Sequence, residues 1–184
     1  MENLLVYCLV GLGVLAVYLI VVYNRGVSFK NFVSEAFATM DVYLKKRWDL
    51  VPNLIEIVKN YAKHEKTLLE ELTKLRTQNY GELTEAKKLE TNAQLGLKLS
   101  KIVAVAENYP DLKANQSYML LMQQMAAVEE DIANARKYYN GTVRELNTFL
   151  DIFPTNLIGK MFGMSKAKMF EIENAQRENI KVEM

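Results

Sequence analysis

The chain has 184 residues, with 23 Lys and Arg side chains, 22 Asp and Glu side chains and a single histidine. This near balance of charge excludes the clustered basic excess that binding to nucleic acid requires. One histidine excludes any two-histidine metal site, and one cysteine, Cys8, excludes a disulfide within the chain. Only three prolines and eight glycines are present, which disfavours an architecture of strands and turns.

The first predicted element is a membrane-spanning helix. Leu4 to Val22 is a run of nineteen residues without charge, and thirteen of them are Leu, Ile or Val. As a helix this run is about 28 Å long, close to the roughly 30 Å hydrocarbon core of a bilayer. A cleaved signal peptide would need a basic start and a small-residue cleavage site, and the sequence shows neither. We therefore predict an uncleaved transmembrane anchor over residues 1–25.

Basic residues after this run predict its orientation. Arg25 and Lys30 follow the span closely, whereas Glu2 is the only charged side chain before it. Because segments rich in Lys and Arg stay on the cytoplasmic side, we expect a single-pass anchor in the inner membrane with the large domain in the cytoplasm. Residues 26–184 are enough for one helical domain.

A long helix is predicted over about Phe29–Asn79. Apolar residues recur at steps of three or four, and Arg47 and Glu65 occupy the two positions of this stripe that are not apolar. Pro52 lies within the stripe without shifting its phase, which favours one helix with a kink near Trp48. The alternative is two helices that meet at the proline.

Three further helices are predicted after the Tyr80-Gly81-Glu82 turn. The first covers about residues 84–108, and its predicted core face is Leu89, Ala93, Leu97, Ser100, Val103 and Ala106. The second covers about residues 115–151, and its stripe is Tyr118, Leu121, Met125, Val128, Ile132, Ala135, Tyr139, Val143, Leu146 and Leu150. The third is a short amphipathic tail helix over about residues 155–173. The sequence thus predicts an all-α fold, in which a transmembrane helix precedes a bundle of long, antiparallel, coiled-coil-like helices.

No catalytic constellation is evident in the sequence. The residue three before His64 is Tyr61, so the Glu-x-x-His motif of helical di-metal sites is absent. Neither a phosphate-binding loop nor a glycine-rich dinucleotide motif is present. We therefore predict no enzymatic activity, no cofactor, no metal and no small-molecule substrate.

Polar and sulfur-containing side chains of the later helices are assigned structural roles. Glu129 or Glu130 is expected to face inward, towards an arginine such as Arg47 or Arg136. Six of the nine methionines lie in the helix that starts near residue 115 and in the tail. Core filling is the simpler explanation for them, and an adaptable groove for a partner is the alternative.

Several stretches of the chain resemble the LemA family. Residues 40–54, 104–115 and 135–140, together with the Phe153-Pro154-x-Asn156 segment, are similar to the family's motifs and occur in the same order. The motif residues, which we expect to be structural, are Asp41, Arg47, Asp49, Pro52, Asn53, Glu107, Pro110, Asp111, Lys113, Asn115, Glu129, Arg136 and Asn140. The resemblance implies a bacterial protein with one membrane helix, a helical bundle and no established enzymatic activity.

Two classes of function remain. The first is a scaffold that self-associates and organises or remodels the inner membrane. The second is an adaptor for a membrane enzyme, because the resemblance associates the family with envelope stress and HtpX-type proteases. The expected partners are membrane lipid, further copies of this chain as a homo-oligomer and a membrane protein.

The long first helix predicts where copies of the chain meet. It is nearly twice as long as the next helix, so its membrane-proximal half lacks cover in a simple antiparallel bundle. The candidate oligomer contacts are Phe29, Phe32, Val33 and Phe37. The alternative is that the tail helix folds back over these residues within one chain.

Overall fold

The computed structural model describes residues 1–62 and 64–170, and these form helices and connecting segments without any strand. The elements in chain order are α1 (Glu2–Tyr61), α2 (Lys66–Arg76), a 3-10 turn (Tyr80–Glu82), α3 (Glu85–Ala106), α4 (Pro110–Lys113), α5 (Gln116–Asp151) and α6 (Thr155–Met161). The predicted all-α class, with a long apolar first helix and a helical bundle, is confirmed.

The chain divides into two compact units. The first unit comprises residues 1–39 and 135–184, and the second comprises residues 40–134. Each unit contains a segment of α1 and a segment of α5, and each has buried apolar residues of its own.

Helix α1 is continuous through Pro52, which confirms one helix rather than two that meet at the proline. The stripe residues on both sides of it, such as Leu44, Val51 and Leu54, are buried, and so is Arg47. We infer that these buried contacts outweigh the one backbone hydrogen bond that a proline inside a helix cannot donate.

The prediction that this helix continues to about Asn79 is wrong, because α1 ends at Tyr61 and α2 begins at Lys66. The stripe position between them is taken by Glu65, whose carboxylate would lose hydration if it were buried. After the break, α2 buries three leucines of its own, Leu69, Leu72 and Leu75.

The predicted core face of α3 is also wrong. Leu97 and Val103 from that face are exposed, at 45% and 43%. Of the predicted face only Ala106 is buried, and the other buried residues of α3 are Thr91, Asn92, Leu95, Leu99 and Ile102. Asn92 is hydrogen-bonded to the buried Arg47, and this contact places a polar residue on the otherwise largely apolar buried face of α3.

Helix α5 follows the prediction closely, because all ten residues of its predicted stripe are buried. Asn115 immediately precedes the helix and caps its first turn. Its Oδ1 accepts a hydrogen bond from the Tyr118 amide at 3.0 Å, and its Nδ2 donates to the Tyr61 hydroxyl at 2.8 Å. One side chain therefore satisfies a free amide of the first turn of α5 and links α5 to the end of α1.

The tail helix is shorter than predicted. Helix α6 covers Thr155–Met161, and residues 164–170 adopt no regular secondary structure. Residues 171–173 of the predicted helix lie outside the described residues. The backbone of the segment after α6 is bonded to side chains of α5 instead of forming another helical turn.

Candidate functional site

The most constrained polar group of the second unit is the guanidinium of Arg47, which is 2% exposed. Its Nη1 donates to Oε2 of Glu129 in α5 at 2.6 Å. Its Nη2 donates to the main-chain oxygen of Asn92 in α3 at 2.8 Å and to the side-chain oxygen of the same residue at 3.2 Å. One side chain of α1 thus holds two other helices. The predicted ion pair between Glu129 and Arg47 is present, but the expectation that the carboxylate faces inward is wrong, because the Glu129 side chain is 55% exposed.

A chain of hydrogen bonds continues from Asn92 to the edge of this unit. The Asn92 side-chain amide donates to the Tyr80 hydroxyl at 3.3 Å, and this hydroxyl donates to Asp41 at 2.8 Å. The Lys88 ammonium donates to the other oxygen of Asp41 at 2.5 Å, and Trp48 packs on the Tyr80 ring. Burial, and next the hydrogen bond to Asp41, raise the pKa of Tyr80 well above its ordinary value.

Every charge of this network has a partner of opposite sign. Asp41 is paired with Lys88 and Glu129 with Arg47. Among the residues that the structure describes, no group of three or more His, Cys, Asp or Glu side chains is placed to hold a metal ion. The arrangement is suited to fixing the register of α1, α3 and α5 against one another.

The motif residues around α4 lie on the surface of the second unit. Glu107 is the C-cap residue that follows α3, and Pro110 opens α4, where the missing amide hydrogen costs nothing. Asp111 lies in the first turn of α4 and Lys113 in the last, so that each charge is favourable for the helix dipole. These residues are arranged as helix-terminal groups rather than as a convergent site.

The motif residues near Pro52 are likewise separate from the network. Asp49 pairs with Lys45, one helical turn away, at 2.5 Å, and both side chains are about half exposed. Asn53 is exposed, and Pro52 is half-buried. The structure therefore brings together Asp41, Arg47 and Glu129 from the predicted motif set, but not Asp49 or Asn53.

The first unit is built around a hydrophobic cluster beside the end of the apolar run. Its buried members, which we call the anchor cluster, are Val22, Leu146, Phe149, Leu150 and Ile158. Leu19, Phe29, Val33, Met164 and Ala167 pack against it while remaining partly exposed. The cluster joins the last turn of the predicted span to α5 and α6.

Three of the four predicted oligomer contacts are covered by this unit. The Phe29 ring centroid lies 5.4 Å from that of Phe149, and Val33 packs against the anchor cluster. Phe37 is only 7% exposed, whereas Phe32 is 46% exposed. The expectation that this stretch lacks cover is therefore wrong for Phe37, whereas Phe29 and Val33 are covered in part and Phe32 is left exposed.

Two asparagines of α5 hold the segment that follows α6. Asn140 donates to the Phe170 carbonyl at 2.9 Å and accepts from the Phe170 amide at 2.7 Å. Asn147 makes the same pair of bonds with Ala167, at 2.9 and 3.0 Å. Seven helical residues and three extended residues both span about 10 Å, so the two pairs are in register. The Arg136 guanidinium lies 4.4 Å from the centre of the Phe170 ring.

Sequence reasoning singled out Asn140 but missed Asn147, Asn92 and Tyr80. The interval of seven between the two asparagines places both on one face of a helix, and this is the signal that points to a paired role. Asn92 and Tyr80 have partners that are 45 and 39 residues away, at Arg47 and Asp41, so no local pattern marks them.

One helix of the described residues is long and apolar enough to cross a membrane. It is the stretch of α1 from Asn3 onwards, and its most apolar window of 18 residues is only 6% buried. A helix of this length that is exposed and apolar all round matches a bilayer rather than the core of a soluble protein. The fold and this helix define an all-α protein with a candidate membrane anchor.

The chain belongs to the LemA family, whose model matches residues 36–184. It is similar to the magnetosome proteins MamQ 1 and MamQ 2 of Paramagnetospirillum magneticum, with 22% identity over 175 residues in each case. These matches cover 81% of this chain but 64% of each relative, which is less than two thirds of their length. Protein LemA of Metamycoplasma hominis is 19% identical over 152 residues, which cover 82% of this chain and 69% of that protein.

The Arg47 network generates a stability prediction. Arg47→Ala removes three hydrogen bonds and leaves a cavity, so we expect the free energy of unfolding to fall by about 2–4 kcal/mol. Asp49→Ala breaks only the exposed pair with Lys45, and its effect should stay below about 1 kcal/mol. Denaturant unfolding of the detergent-solubilised chain, followed by circular dichroism, measures both. Equal effects of the two substitutions would show that the network does not hold the helices.

Proposed function

We propose that this protein is a non-enzymatic, membrane-anchored scaffold that self-associates and organises or remodels the bacterial inner membrane. The observation that carries the proposal is the position of α6 beside the end of the apolar run. Ile158 and Gly159 of α6 are buried, and Ile158 lies in the anchor cluster with Val22, the last residue of the uncharged run. The Phe162 ring, just after α6, lies 4.8 Å from the ring of Tyr23.

The opposite face of α6 is apolar and uncovered. Leu157 and Met161, one helical turn apart, are 58% and 63% exposed, and Phe162 is 45% exposed. If the run ending at Val22 spans the bilayer, this face lies level with the boundary between hydrocarbon and headgroups. A short helix with one apolar face and a lysine, Lys160, beside it is suited to lie in that boundary.

This placement gives a physical route to membrane remodelling. An apolar helix face that enters one leaflet adds area to that leaflet alone, and such binding is sensitive to curvature. Copies that share one membrane also meet at a raised effective concentration, which favours self-association through weak contacts. Phe32 is the candidate contact that remains exposed for this purpose.

The alternative function is an adaptor or regulator of a membrane enzyme such as an HtpX-type protease. The observation that favours it lies in the second unit, where Met119 and Leu120 are 51% and 57% exposed at the start of α5. Adjacent exposed apolar side chains, one of them a flexible methionine, are suited to contact a partner protein.

The orientation of the anchor is the first prediction of this proposal. Arg25 and Lys30 follow the apolar run, so the domain after it should face the cytoplasm. A protease added to intact spheroplasts should leave the domain whole, and the same protease should digest it after the membrane is permeabilised. Digestion of intact spheroplasts would reverse the assigned orientation.

The second prediction concerns the exposed face of α6. The double variant Leu157→Ser with Met161→Ser removes on the order of 2 kcal/mol of apolar transfer free energy from the interface. We expect the full chain reconstituted in phosphatidylethanolamine–phosphatidylglycerol vesicles to deform them, and this variant to lose that effect while it stays inserted and helical. Electron microscopy of the vesicles, with flotation and circular dichroism, measures these outcomes.

The matched control for this experiment is Met119→Ser with Leu120→Ser, which removes a similarly exposed apolar pair from the second unit. The control should deform vesicles like the unmodified chain. Equal loss in both variants, or no deformation by the unmodified chain, would contradict the remodelling function. If the Met119→Ser, Leu120→Ser variant instead loses a partner protein that co-purifies with the unmodified chain from native membranes, the adaptor function replaces the remodelling function.

The third prediction concerns self-association. Phe32→Glu should shift the chain in lipid nanodiscs from oligomer to monomer without loss of helicity, because Phe32 is exposed. Phe37→Glu should unfold the unit, because a buried charge without a partner is costly. Chemical crosslinking and mass photometry measure the oligomer, and circular dichroism measures the fold. An unmodified chain that is monomeric in lipid and in mild detergent would remove the scaffold function.

A further inference from the structure

A groove of about 620 Å³ runs between the first stretch of α1 and the end of α5 in the first unit. One part of its wall is apolar and is formed by Tyr18, Val21 and Val22 of α1 with Ile152 beyond the end of α5. The other part carries two arginines, Arg25 of α1 and Arg144 of α5. Phe29 and Phe149 also line it, so the groove combines an apolar wall with two basic side chains.

Along α1, the lining residues from Tyr18 to Arg25 are arranged along the membrane normal if this helix spans the bilayer. The inference rests on that part of the proposed function. Val21 and Val22 are the last residues of the uncharged run. Arg25 comes three residues later, about 4.5 Å further along the helix axis. Val21 and Val22 then lie at the depth of acyl chains and Arg25 at the depth of headgroup phosphates, and Arg144 of α5 lines the same groove.

The charged groups that line the groove leave a net positive rim. Arg25 and Arg144 are exposed, and neither makes an ion pair with the described residues. The Arg25 guanidinium lies 5.6 Å from the centre of the Phe29 ring, a contact that leaves its hydrogen-bond donors available. Glu145 also lines the groove, so two positive charges face one negative charge. This balance favours a ligand with a net negative headgroup.

The occupant must combine an apolar body with an anionic head. The apolar wall would lie at a depth that water-soluble ligands do not reach, which excludes a free phosphate compound as the natural ligand. The tail of the same chain is already packed on the anchor cluster and clamped along α5. Basic pockets beside transmembrane helices on the cytoplasmic side bind anionic lipid headgroups by the same physics.

We infer that this groove binds one anionic phospholipid. Arg25 and Arg144 donate hydrogen bonds to its phosphate, and an acyl chain packs along Val21 and Ile152. The bound lipid ties the anchor to the end of α5 and makes the position of this unit at the membrane surface depend on lipid composition.

The test is native mass spectrometry of the detergent-solubilised full chain, titrated with phosphatidylglycerol or with phosphatidylethanolamine. We expect the unmodified chain to bind one phosphatidylglycerol in preference to phosphatidylethanolamine. The double variant Arg25→Gln with Arg144→Gln should reduce phosphatidylglycerol binding by about tenfold or more. Both side chains are exposed, so the helicity of the variant should be unchanged.

A charge-matched control is Lys30→Gln with Lys137→Gln, which removes two exposed positive charges from the same two helices outside the groove. This control should keep phosphatidylglycerol binding within about twofold of the unmodified chain. Equal weakening in both variants, or no preference for the anionic lipid, would overturn the inference. Displacement of phosphatidylglycerol by an equal concentration of glycerol 3-phosphate would also overturn it. So would a spectrum in which the groove is filled by a second copy of the chain, seen as a dimer without bound lipid.

The experiment distinguishes a wrong lipid-binding inference from a wrong proposed function. A chain that floats with vesicles and deforms them, but shows no lipid preference, overturns the lipid site alone. A chain that does not float with vesicles removes the anchor on which both depend.

Discussion

A single buried cation sets the geometry of the second unit. The guanidinium of Arg47 has lost nearly all contact with solvent, and its two Nη groups meet acceptors of fitting geometry, whereas its buried Nε has none among the described residues. Those acceptors come from α3 and α5, so neither helix is able to rotate or slide without breaking a charge-assisted hydrogen bond. Hydrophobic stripes alone leave this choice open, because several rotations of a helix bury similar apolar area. Arg47 selects one of them.

This selection explains which parts of the fold were predictable from sequence. The stripe of α5 was predicted in full, because its apolar residues define one face without competition. The buried face of α3 was not predicted, because it contains Thr91 and Asn92. A search for apolar residues alone does not select these two polar residues. Both oxygens of buried Asn92 accept hydrogen bonds from a cation 45 residues earlier in the chain. The break between α1 and α2 was missed for a similar reason, since the stripe was continued through a carboxylate at Glu65.

The candidate sites divide in the same way. The pairing of Glu129 with an inward arginine was predictable, because a carboxylate in the middle of an amphipathic helix needs a cation. The packing of the tail on the first helix was foreseen only as an alternative, and the members of the anchor cluster were not predicted, because they depend on how closely α1, α5 and the tail approach one another. Two glycines show how closely these elements approach. A Cβ atom at Gly26 would lie 2.6 Å from the Met164 sulfur, and a Cβ atom at Gly159 would lie 2.6 Å from a Leu150 methyl carbon. No periodic pattern marks such contacts, because they depend on the absence of a side chain.

These close contacts are also what a site at the edge of a bilayer requires. Next to lipid, apolar side chains gain little by leaving the acyl chains, so helices associate through close packing and through satisfied polar groups. Irregular backbone is costly there unless its amides and carbonyls are bonded within the protein. The segment after α6 is irregular, and Asn140 and Asn147 bond the amide and the carbonyl of Phe170 and of Ala167. Pairing this segment with a β-strand would also satisfy its amides and carbonyls. The outer strand of such a pair would, however, keep an edge of unpaired backbone groups. Asparagines at an interval of two helical turns satisfy the amides and carbonyls within one chain, and this lets an irregular segment lie against a helix.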